Sequence, residues 1–141
     1  AQKLEKPILT PSTKATEGHD EYSVTHEGMV QDLGADLTRQ LEEACLAVYE
    51  KCYNYAYDRG IIIADTKLEF GLDEAGDLVL ADEVLTPDSS RFWNKAEYQV
   101  GTSPLSYDKQ YLRDGPDLPA EVVEKTREKY LECLQLLVPQ K

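Results

Sequence analysis

Two acidic side chains stand in a region of the sequence whose other residues are apolar and alternating. Glu69 lies between Leu68 and Phe70, and Asp82 follows Ala81. Two carboxylates that face each other across paired strands repel unless a proton or a cation lies between them. Oxygen ligands on a rigid hairpin suit Mg²⁺. This ion keeps several waters and shares its coordination shell with substrate phosphates. The alternative is a solvated outer face of an antiparallel sheet, where acids are common.

Further charged side chains, both basic and acidic, lie close to these acids in the sequence. Lys67 precedes Glu69 by two residues and Asp65 precedes Lys67 by two, so a regular strand would present all three on one face. Arg91 lies three residues after Asp88 in a Thr-Pro-Asp-Ser-Ser-Arg segment, where a guanidinium can bind a phosphate through two hydrogen bonds. Surface salt bridges and a solvated arginine are the alternatives for these positions.

Polar residues near the start of the chain could also contact a substrate. Hydroxyl groups, a lysine, a histidine and two acids occur in two segments, Thr-Pro-Ser-Thr-Lys at residues 10–14 and Gly-His-Asp-Glu at residues 18–21. Substrate-binding loops have this composition, and so do disordered segments. The first segment lacks the glycines of a phosphate-binding loop.

A β-hairpin is predicted to position the two acids. Residues 67–83 contain two alternating segments on either side of a turn-forming Asp-Glu-Ala-Gly-Asp cluster. Pairing Leu72 with Val79 gives the hairpin one continuous apolar face and places Glu69 directly opposite Asp82 on the other. The apolar face then comprises Leu68, Phe70, Leu72, Val79 and Ala81.

Two long amphipathic helices are predicted beside the hairpin. Over residues 35–59 the apolar side chains recur at steps of three and four, and Gly60 ends the helix. A last helix is predicted from residue 119 to about Leu137, with Pro119 in its first turn. Its apolar stripe is Val122, Val123, Thr126, Tyr130, Leu134 and Leu137.

These elements predict an α+β fold. The β-branched run at residues 61–64 is expected to form a buried strand, residues 86–91 a loop, and residues 1–34 an extended, loop-rich entry. We expect a largely antiparallel sheet that includes the 67–83 hairpin and is packed by the two long helices. The length of 141 residues, 41% of them hydrophobic, is that of one ordinary domain.

Composition excludes several classes of partner. The chain has 15 basic and 27 acidic residues and a net charge of -12, which repels nucleic acid and anionic membranes. No apolar run approaches the roughly 20 residues that a membrane span requires. The three cysteines are odd in number and without C-x-x-C spacing, so we expect a reduced, cytoplasmic protein in which Cys45 and Cys52 are small buried thiols.

Six short motifs occur in order between about residues 2 and 138. They are Ile-Leu-Thr-Pro-Ser-Thr-Lys at 8–14, Gly-His-Asp-Glu at 18–21, Ile-Ala-Asp-Thr-Lys-Leu-Glu-Phe-Gly at 63–71, Leu-Ala-Asp-Glu at 80–83, Thr-Pro-Asp-Ser-Ser-Arg-Phe-Trp at 86–93 and Tyr-Asp-Lys-Gln-Tyr-Leu-Arg-Asp at 107–114. Together they resemble the phosphoribosylaminoimidazole-succinocarboxamide (SAICAR) synthetase family. The resemblance implies an ATP-dependent ligase of purine biosynthesis that joins L-aspartate to carboxyaminoimidazole ribonucleotide through an acyl phosphate. The likeness of that family to ATP-grasp enzymes is an analogy of fold.

The resemblance also implies roles for individual residues. Glu69 and Asp82 match the acids that hold Mg²⁺ with ATP. Lys67 matches a lysine near the nucleotide phosphates, and Asp65 lies in the same active-site strand, so both are candidate catalytic residues. Four positions match the loop that contacts the ribose and 5′-phosphate of the imidazole nucleotide, namely Asp88, Ser89, Ser90 and Arg91. Two further candidate substrate-binding residues lie in bordering loops, namely Lys14 and Asp20.

The sequence departs from the family pattern in two places. The family has an upstream lobe with a glycine-rich strand-turn-strand that covers ATP, and the segment at residues 113–116 is shorter than usual. We therefore expect residues 1–141 to be the C-terminal portion of the ligase, with the N-terminal lobe supplied separately or upstream. A homo-oligomer is compatible with the sequence. The alternative is a truncated, non-catalytic homologue that binds a ligand or a partner lobe.

Overall fold

The computed structural model describes residues 2–14, 21–102 and 120–137. Within these ranges, no helix is long and apolar enough to cross a membrane. In chain order the elements are β1 (Ser12–Lys14), β2 (Glu21–Ser23), α1 (His26–Leu33), α2 (Ala35–Tyr57), β3 (Ile61–Thr66), β4 (Glu69–Leu72), β5 (Leu78–Ala81), β6 (Ser90–Asn94) and α3 (Ala120–Leu137).

The described strands form three antiparallel pairs, β1–β2, β3–β6 and β4–β5. The predicted α+β class and its antiparallel pairing are confirmed, and the predicted hairpin is the pair β4–β5. Among the described residues the hairpin is a sheet of its own, whereas we expected it within one larger sheet. Both long helices contribute residues to the core at the β3–β6 sheet.

Helix α2 is confirmed, and it ends two residues earlier than predicted. The N–H of Asp58 still donates to the carbonyl oxygen of Asn54 at 3.1 Å, and the N–H of Gly60 donates to Tyr57 at 3.2 Å. Gly60 has a φ of 85°, a conformation that glycine adopts without a steric penalty. The chain therefore leaves the helix and enters β3 at the next residue, Ile61.

The core lies between these elements. Tyr49 of α2 donates its hydroxyl hydrogen to the carbonyl oxygen of Ile63 at 2.6 Å, which ties the helix to β3. Burial raises the pKa of the Tyr49 phenol, and Tyr53 and Asp65 add to the shift, so this donor stays protonated. The buried cluster consists of Ala56, Ile61, Ile63, Phe92 and Cys133.

The predicted apolar stripe of the last helix is wrong at Tyr130 and Leu134, which are 38% and 55% exposed. The side chains of three other predicted positions lie outside the part of the chain that the structure describes, namely Val122, Val123 and Thr126. Among the described side chains of this helix, the buried one is Cys133, and Leu137 packs against the same core. These two residues are four apart and share one side of a helix. The Cys133 thiol occupies the buried position that the sequence pattern assigned to Leu134. The other two thiols, of Cys45 and Cys52, were expected to be buried and are only half-buried.

Helix α1 replaces part of the segment that we expected to be extended. The hydroxyl of Thr25 accepts a hydrogen bond from the N–H of Gly28 at 3.1 Å and caps the first turn. Gly34, with a φ of 86°, separates α1 from α2. A helix of eight residues that contains a glycine shows too few periods to be recognised from hydrophobic spacing.

Candidate functional site

The observed register of the hairpin differs by one residue from the predicted one. Leu72 pairs with Leu78 instead of Val79. Glu69 in turn pairs with Ala81, so its predicted position directly across the ladder from the second acid is wrong. Leu68 and Phe70 of the predicted apolar face are half-buried, whereas Leu72, Val79 and Ala81 are exposed. On the second strand the half-buried side chains are Leu78 and Leu80.

A closed turn determines this register. The N–H of Asp73 donates to the carbonyl oxygen of Asp77 at 3.0 Å, so the residues flanking this pair must face each other. The Asp73 carboxylate accepts hydrogen bonds from the N–H groups of Ala75 at 3.0 Å and Asp77 at 2.8 Å. Gly76 supplies the left-handed backbone, with a φ of 82°. Hydrophobic alternation contains no information on these side-chain-to-backbone bonds, which is why it gave the wrong register.

Asp82 nevertheless lies at the same cavity as Glu69. It follows the last residue of β5 and has a φ of 61°, which interrupts the alternation of a strand. Regular alternation would have placed it on the face opposite Glu69. The cavity measures about 150 Å³ and is lined by Lys67, Glu69, Asp82, Glu83, Asp88 and Ser89.

Residues 82–85, of which the first two line the cavity, have an uncommon backbone at both ends. Asp82 and Leu85 have φ values of 61° and 54°. Aspartate tolerates the left-handed region, whereas leucine is rarely found there. The Leu85 side chain packs against the buried core, and this packing offsets the backbone strain. Strain of this kind concentrates at functional sites, which supports a role for residues 82–85.

Lys67 lies in the connection between two sheets. Its Nζ is 3.8 Å from Glu69 Oε1, and its backbone N–H donates to the carbonyl oxygen of Ser89 at 2.9 Å. β3 ends at Thr66 before this residue, and β4 begins after it. The predicted row of three charged side chains on one strand is therefore wrong, because Asp65 belongs to the β3–β6 sheet.

Asp65 is paired with Arg91 in that sheet. The ladder shifts by one residue between Ile63 and Asp65, which leaves Ala64 as the extra residue of a β-bulge. Arg91 Nε lies 3.5 Å from Asp65 Oδ2, and both side chains are at least half exposed. Neither residue is among those that line the cavity.

The predicted loop at residues 86–91 is shorter than expected. Strand β6 begins at Ser90, so Ser90 and Arg91 belong to the sheet. Ser90 is 3% exposed, and its hydroxyl lies 2.8 Å from Thr66 Oγ1. The exposed Arg91 between buried Ser90 and Phe92 follows strand alternation, which the polar composition concealed.

Two predicted positions near the start of the chain are described only in part or not at all. Lys14 is the last residue of β1 and pairs with Glu21 of β2. Its side chain lies outside the part of the chain that the structure describes, as does the whole of Asp20.

Two residues near the cavity were missed by the sequence interpretation. Glu83 lines the cavity, and its carboxylate accepts a hydrogen bond from the Thr86 hydroxyl at 2.7 Å. The available signal was that Glu83 directly follows Asp82. It is a second acid at a point where the apolar alternation of the hairpin has ended. Thr86 gave no signal beyond the turn composition of its segment.

The cavity is rich in carboxylates, since its lining includes four acids and a single lysine. Within the described residues, no group of three or more His, Cys, Asp or Glu side chains could hold a metal ion by itself. Mg²⁺ commonly uses one or two protein carboxylates and completes its shell with waters and phosphate oxygens. Glu69 and Asp82 fit that mode of binding. A phosphate ligand would also need a cation there to offset the surrounding negative charge.

A larger cavity, of about 320 Å³, lies beside the start of α1. Its lining contains one acid, Glu42, whose carboxylate is 2.6 Å from His26 Nδ1. The other lining residues are apolar or carry hydroxyl groups. Volume alone favours this cavity, but the charged groups that could bind a metal or a phosphate converge at the smaller one.

Comparison with known proteins identifies the family of the chain. The family model for SAICAR synthetase matches residues 1–130. Phosphoribosylaminoimidazole-succinocarboxamide synthases from Stenotrophomonas maltophilia and Histophilus somni are 49% and 48% identical to this chain, in each case over 97% of it. The matches cover 48% and 52% of these relatives, so the chain spans about half their length.

Solved structures give the same result. The Saccharomyces cerevisiae SAICAR synthase complexed with SAICAR superposes with a TM-score of 0.83 and 43% identity, over 99% of this chain and 49% of that one. A SAICAR synthetase in complex with ADP superposes with a TM-score of 0.70 and 32% identity, over 92% of this chain and 53% of that one. With its fold, motifs and sequence in agreement, the chain belongs to the SAICAR synthetase family.

Proposed function

We propose that the protein is an ATP-dependent carbon–nitrogen ligase of purine biosynthesis and that this chain is the C-terminal portion of its fold. The ligase joins L-aspartate to carboxyaminoimidazole ribonucleotide. One observation carries the proposal: in a chain of this family, the acids Glu69 and Asp82, Lys67 and the turn at Asp88 and Ser89 line one cavity. The SAICAR and ADP complexes of related enzymes support both classes of ligand.

The acidic side of the cavity is proposed to bind ATP with Mg²⁺. Glu69 and Asp82 would hold the cation, which when bound neutralises charge on the phosphate oxygens. Lys67 is close enough to Glu69 to lie beside the same phosphates, where its ammonium group would stabilise charge during transfer.

The turn side of the cavity is proposed to bind the imidazole ribonucleotide. Asp88 and Ser89 line the cavity there and would contact the ribose and 5′-phosphate together with Arg91. Asp65 would orient the Arg91 guanidinium through their ion pair. Ser90 would fix the end of the turn, because it is buried in the adjoining sheet.

The proposed reaction has two steps. A carboxylate oxygen on the imidazole ring attacks the terminal phosphorus of ATP, the bond to the bridging oxygen breaks, and ADP leaves. The aspartate amine then attacks the carbonyl carbon of the acyl phosphate, a carbon–nitrogen bond forms, inorganic phosphate leaves, and the nitrogen loses a proton. The protein's contribution is to align these groups and stabilise negative charge.

The test measures ADP and succinocarboxamide formation in three preparations. These are the protein expressed from its native gene, the 141-residue chain alone, and the chain joined behind the half of the Stenotrophomonas maltophilia relative that it does not match. We expect turnover in the joined protein and none in the chain alone. Turnover in none of the three would favour the alternative, a non-catalytic homologue that binds ligand or a partner lobe.

A further inference from the structure

The turn at residues 86–89 is closed by reciprocal hydrogen bonds between its first and last residues. The N–H of Thr86 donates to Ser89 Oγ at 3.1 Å, and the N–H of Ser89 donates to Thr86 Oγ1 at 3.2 Å. The two hydroxyl oxygens are 3.0 Å apart. The position of Ser89, which lines the cavity, therefore depends on Thr86.

Glu83 determines the direction of the Thr86 hydroxyl. Its Oε2 lies 2.7 Å from Thr86 Oγ1. An ionised carboxylate can only accept a hydrogen bond, so Thr86 must donate its single hydroxyl proton to Glu83. Toward Ser89, the Thr86 hydroxyl oxygen can therefore only accept a hydrogen bond.

This arrangement leaves the Ser89 hydroxyl as a donor. Its oxygen already accepts the N–H of Thr86. The acceptors within reach are Thr86 Oγ1 at 3.0 Å, the Thr86 carbonyl oxygen at 3.4 Å and Ser90 Oγ at 3.5 Å, and all of them are neutral. The Ser90 hydroxyl is also 2.8 Å from Thr66 Oγ1. A charged oxygen in the cavity would be a stronger acceptor than any of these.

We infer that Glu83 and Thr86 are positioning residues that hold the Ser89 hydroxyl as a hydrogen-bond donor to an oxyanion of the ribonucleotide substrate. This inference rests on the proposed function, which places that substrate at the turn. The oxyanion is a 5′-phosphate oxygen or the ring carboxylate, and both present the same charged acceptor to Ser89.

The test compares Thr86→Val with Thr86→Ser in the protein expressed from its native gene. Valine keeps the shape of threonine and lacks the hydroxyl, whereas serine restores it. Thr102→Val is the matched control, because the Thr102 hydroxyl donates to the Gln99 carbonyl oxygen in a turn away from the cavity lining. Calorimetry gives the affinities for ribonucleotide and for ATP, and thermal unfolding shows whether each variant folds.

We expect Thr86→Val to weaken ribonucleotide binding by about tenfold and ATP binding by less than about twofold, as for one lost hydrogen bond to a charged group. KM for the ribonucleotide should rise with little change in kcat, and Thr86→Ser should restore both. Two probes distinguish the source of the oxyanion. Carboxyaminoimidazole ribonucleotide has the phosphate and the carboxylate, whereas 5-aminoimidazole-4-carboxamide ribonucleotide has only the phosphate.

A double-mutant cycle separates positioning from general loss of structure. In a Ser89→Ala background, Thr86→Val should add little further loss of ribonucleotide affinity, because the donor that it positions is gone. Additive losses, or equal losses for ATP and ribonucleotide, would overturn the inference. A wild-type protein that binds no ribonucleotide would overturn the proposed function and the inference together. Normal binding in both wild type and Thr86→Val would overturn only the inference.

Discussion

At the scale of single residues, the backbone of Asp82 decides where its carboxylate lies. Strand alternation after Ala81 would direct the carboxylate away from Glu69, and the left-handed φ of 61° interrupts that alternation. Asparagine tolerates this backbone about as well as aspartate does, so Asp82→Asn removes the charge without new strain. Glu69→Gln is the corresponding change on β4.

We predict that Glu69→Gln and Asp82→Asn each weaken Mg²⁺-dependent ATP binding by about tenfold or more and lower turnover. Each change removes one charged ligand of the proposed cation. Glu74→Gln removes the same charge from the exposed hairpin turn and should leave ATP binding unchanged. Titration of ATP at several Mg²⁺ concentrations measures the effect, and full affinity in both variants would contradict the metal assignment.

Arg91 has a separate test. Arg91→Ala should weaken ribonucleotide binding by about 1.5–3 kcal/mol, the loss expected for a charge-assisted contact, and should change ATP binding far less. Arg91→Lys should recover only part, because an ammonium group cannot form two parallel bonds to a phosphate. Asp65→Asn removes the partner of Arg91 and should have a smaller effect in the same direction. Equal losses for both ligands in Arg91→Ala would mean that the role is misassigned.

The raised pKa of Cys133 predicts a pH dependence of stability. Burial, with a smaller contribution from Glu132, raises the pKa of this thiol from its ordinary 9.0 to about 11. Because the folded state disfavours the thiolate, the stabilisation is complete below pH 9 and is lost as the pH rises through the folded pKa. The free energy of unfolding should fall by up to about 2–3 kcal/mol over that interval from this group.

Cys133→Ala tests this assignment. Chemical unfolding from pH 8 to pH 11 should show a shallower loss of stability in the variant than in the wild type. Some slope should remain, because the pKa values of Cys45 and Tyr49 are also raised by burial. An unchanged slope would mean that Cys133 does not titrate as described.

At the scale of elements, the long periodic segments were predictable and the short irregular ones were not. Residues 35–59 were expected to be helical, and α2 covers Ala35–Tyr57. The hairpin was placed correctly because its turn cluster interrupts two apolar strands. Helix α1 and strand β6 were missed because the first depends on a cap and the second on pairing with a distant strand.

The candidate site was predictable in composition and less so in geometry. Glu69, Asp82, Lys67, Asp88 and Ser89 were all named from the sequence, and all line one cavity. Their arrangement could not be derived from alternation, because it depends on a left-handed residue and on hydrogen bonds within two turns. Such bonds connect particular atoms, and hydrophobic patterns do not encode them.

The exit from α2 gives a prediction at this scale. Gly60 has a φ of 85°, so Gly60→Ala should destabilise the protein by about 1 kcal/mol through backbone strain. Gly71→Ala is the matched control, because an added Cβ there meets nothing within 4 Å and the backbone is an ordinary strand. Unfolding midpoints of the two variants should therefore differ, and equal midpoints would contradict the role of Gly60.

At the scale of the whole molecule, the described chain leaves large apolar side chains exposed on α3. Tyr130, Leu131 and Leu134 are 38%, 42% and 55% exposed. They lie within five consecutive residues of one helix, and contiguous apolar patches favour association. The chain matches about half the length of its relatives, so the rest of the family fold is available to cover such a patch.

We predict that the 141-residue chain expressed alone self-associates through this patch. Leu134→Gln should reduce the association, whereas Leu72→Gln should not, although Leu72 is 54% exposed at the hairpin. Sedimentation velocity over a range of concentrations measures the effect. If both variants behave alike, the association does not depend on α3.

The bulge at Ala64 has a consequence for how the length of this chain can vary. Ile63 pairs with Phe92 and Asp65 with Arg91, so Ala64 is the extra residue between two intact cross-strand pairs. A one-codon deletion at this position would join the two pairs into a regular ladder and preserve every partner, including the pair formed by Asp65. Deletion of one of the three preceding isoleucines would instead leave alanine in the buried position of Ile63, opposite Phe92. Single-residue gaps between related sequences should therefore accumulate at Ala64, where a change in length leaves the side chains around the cavity in place.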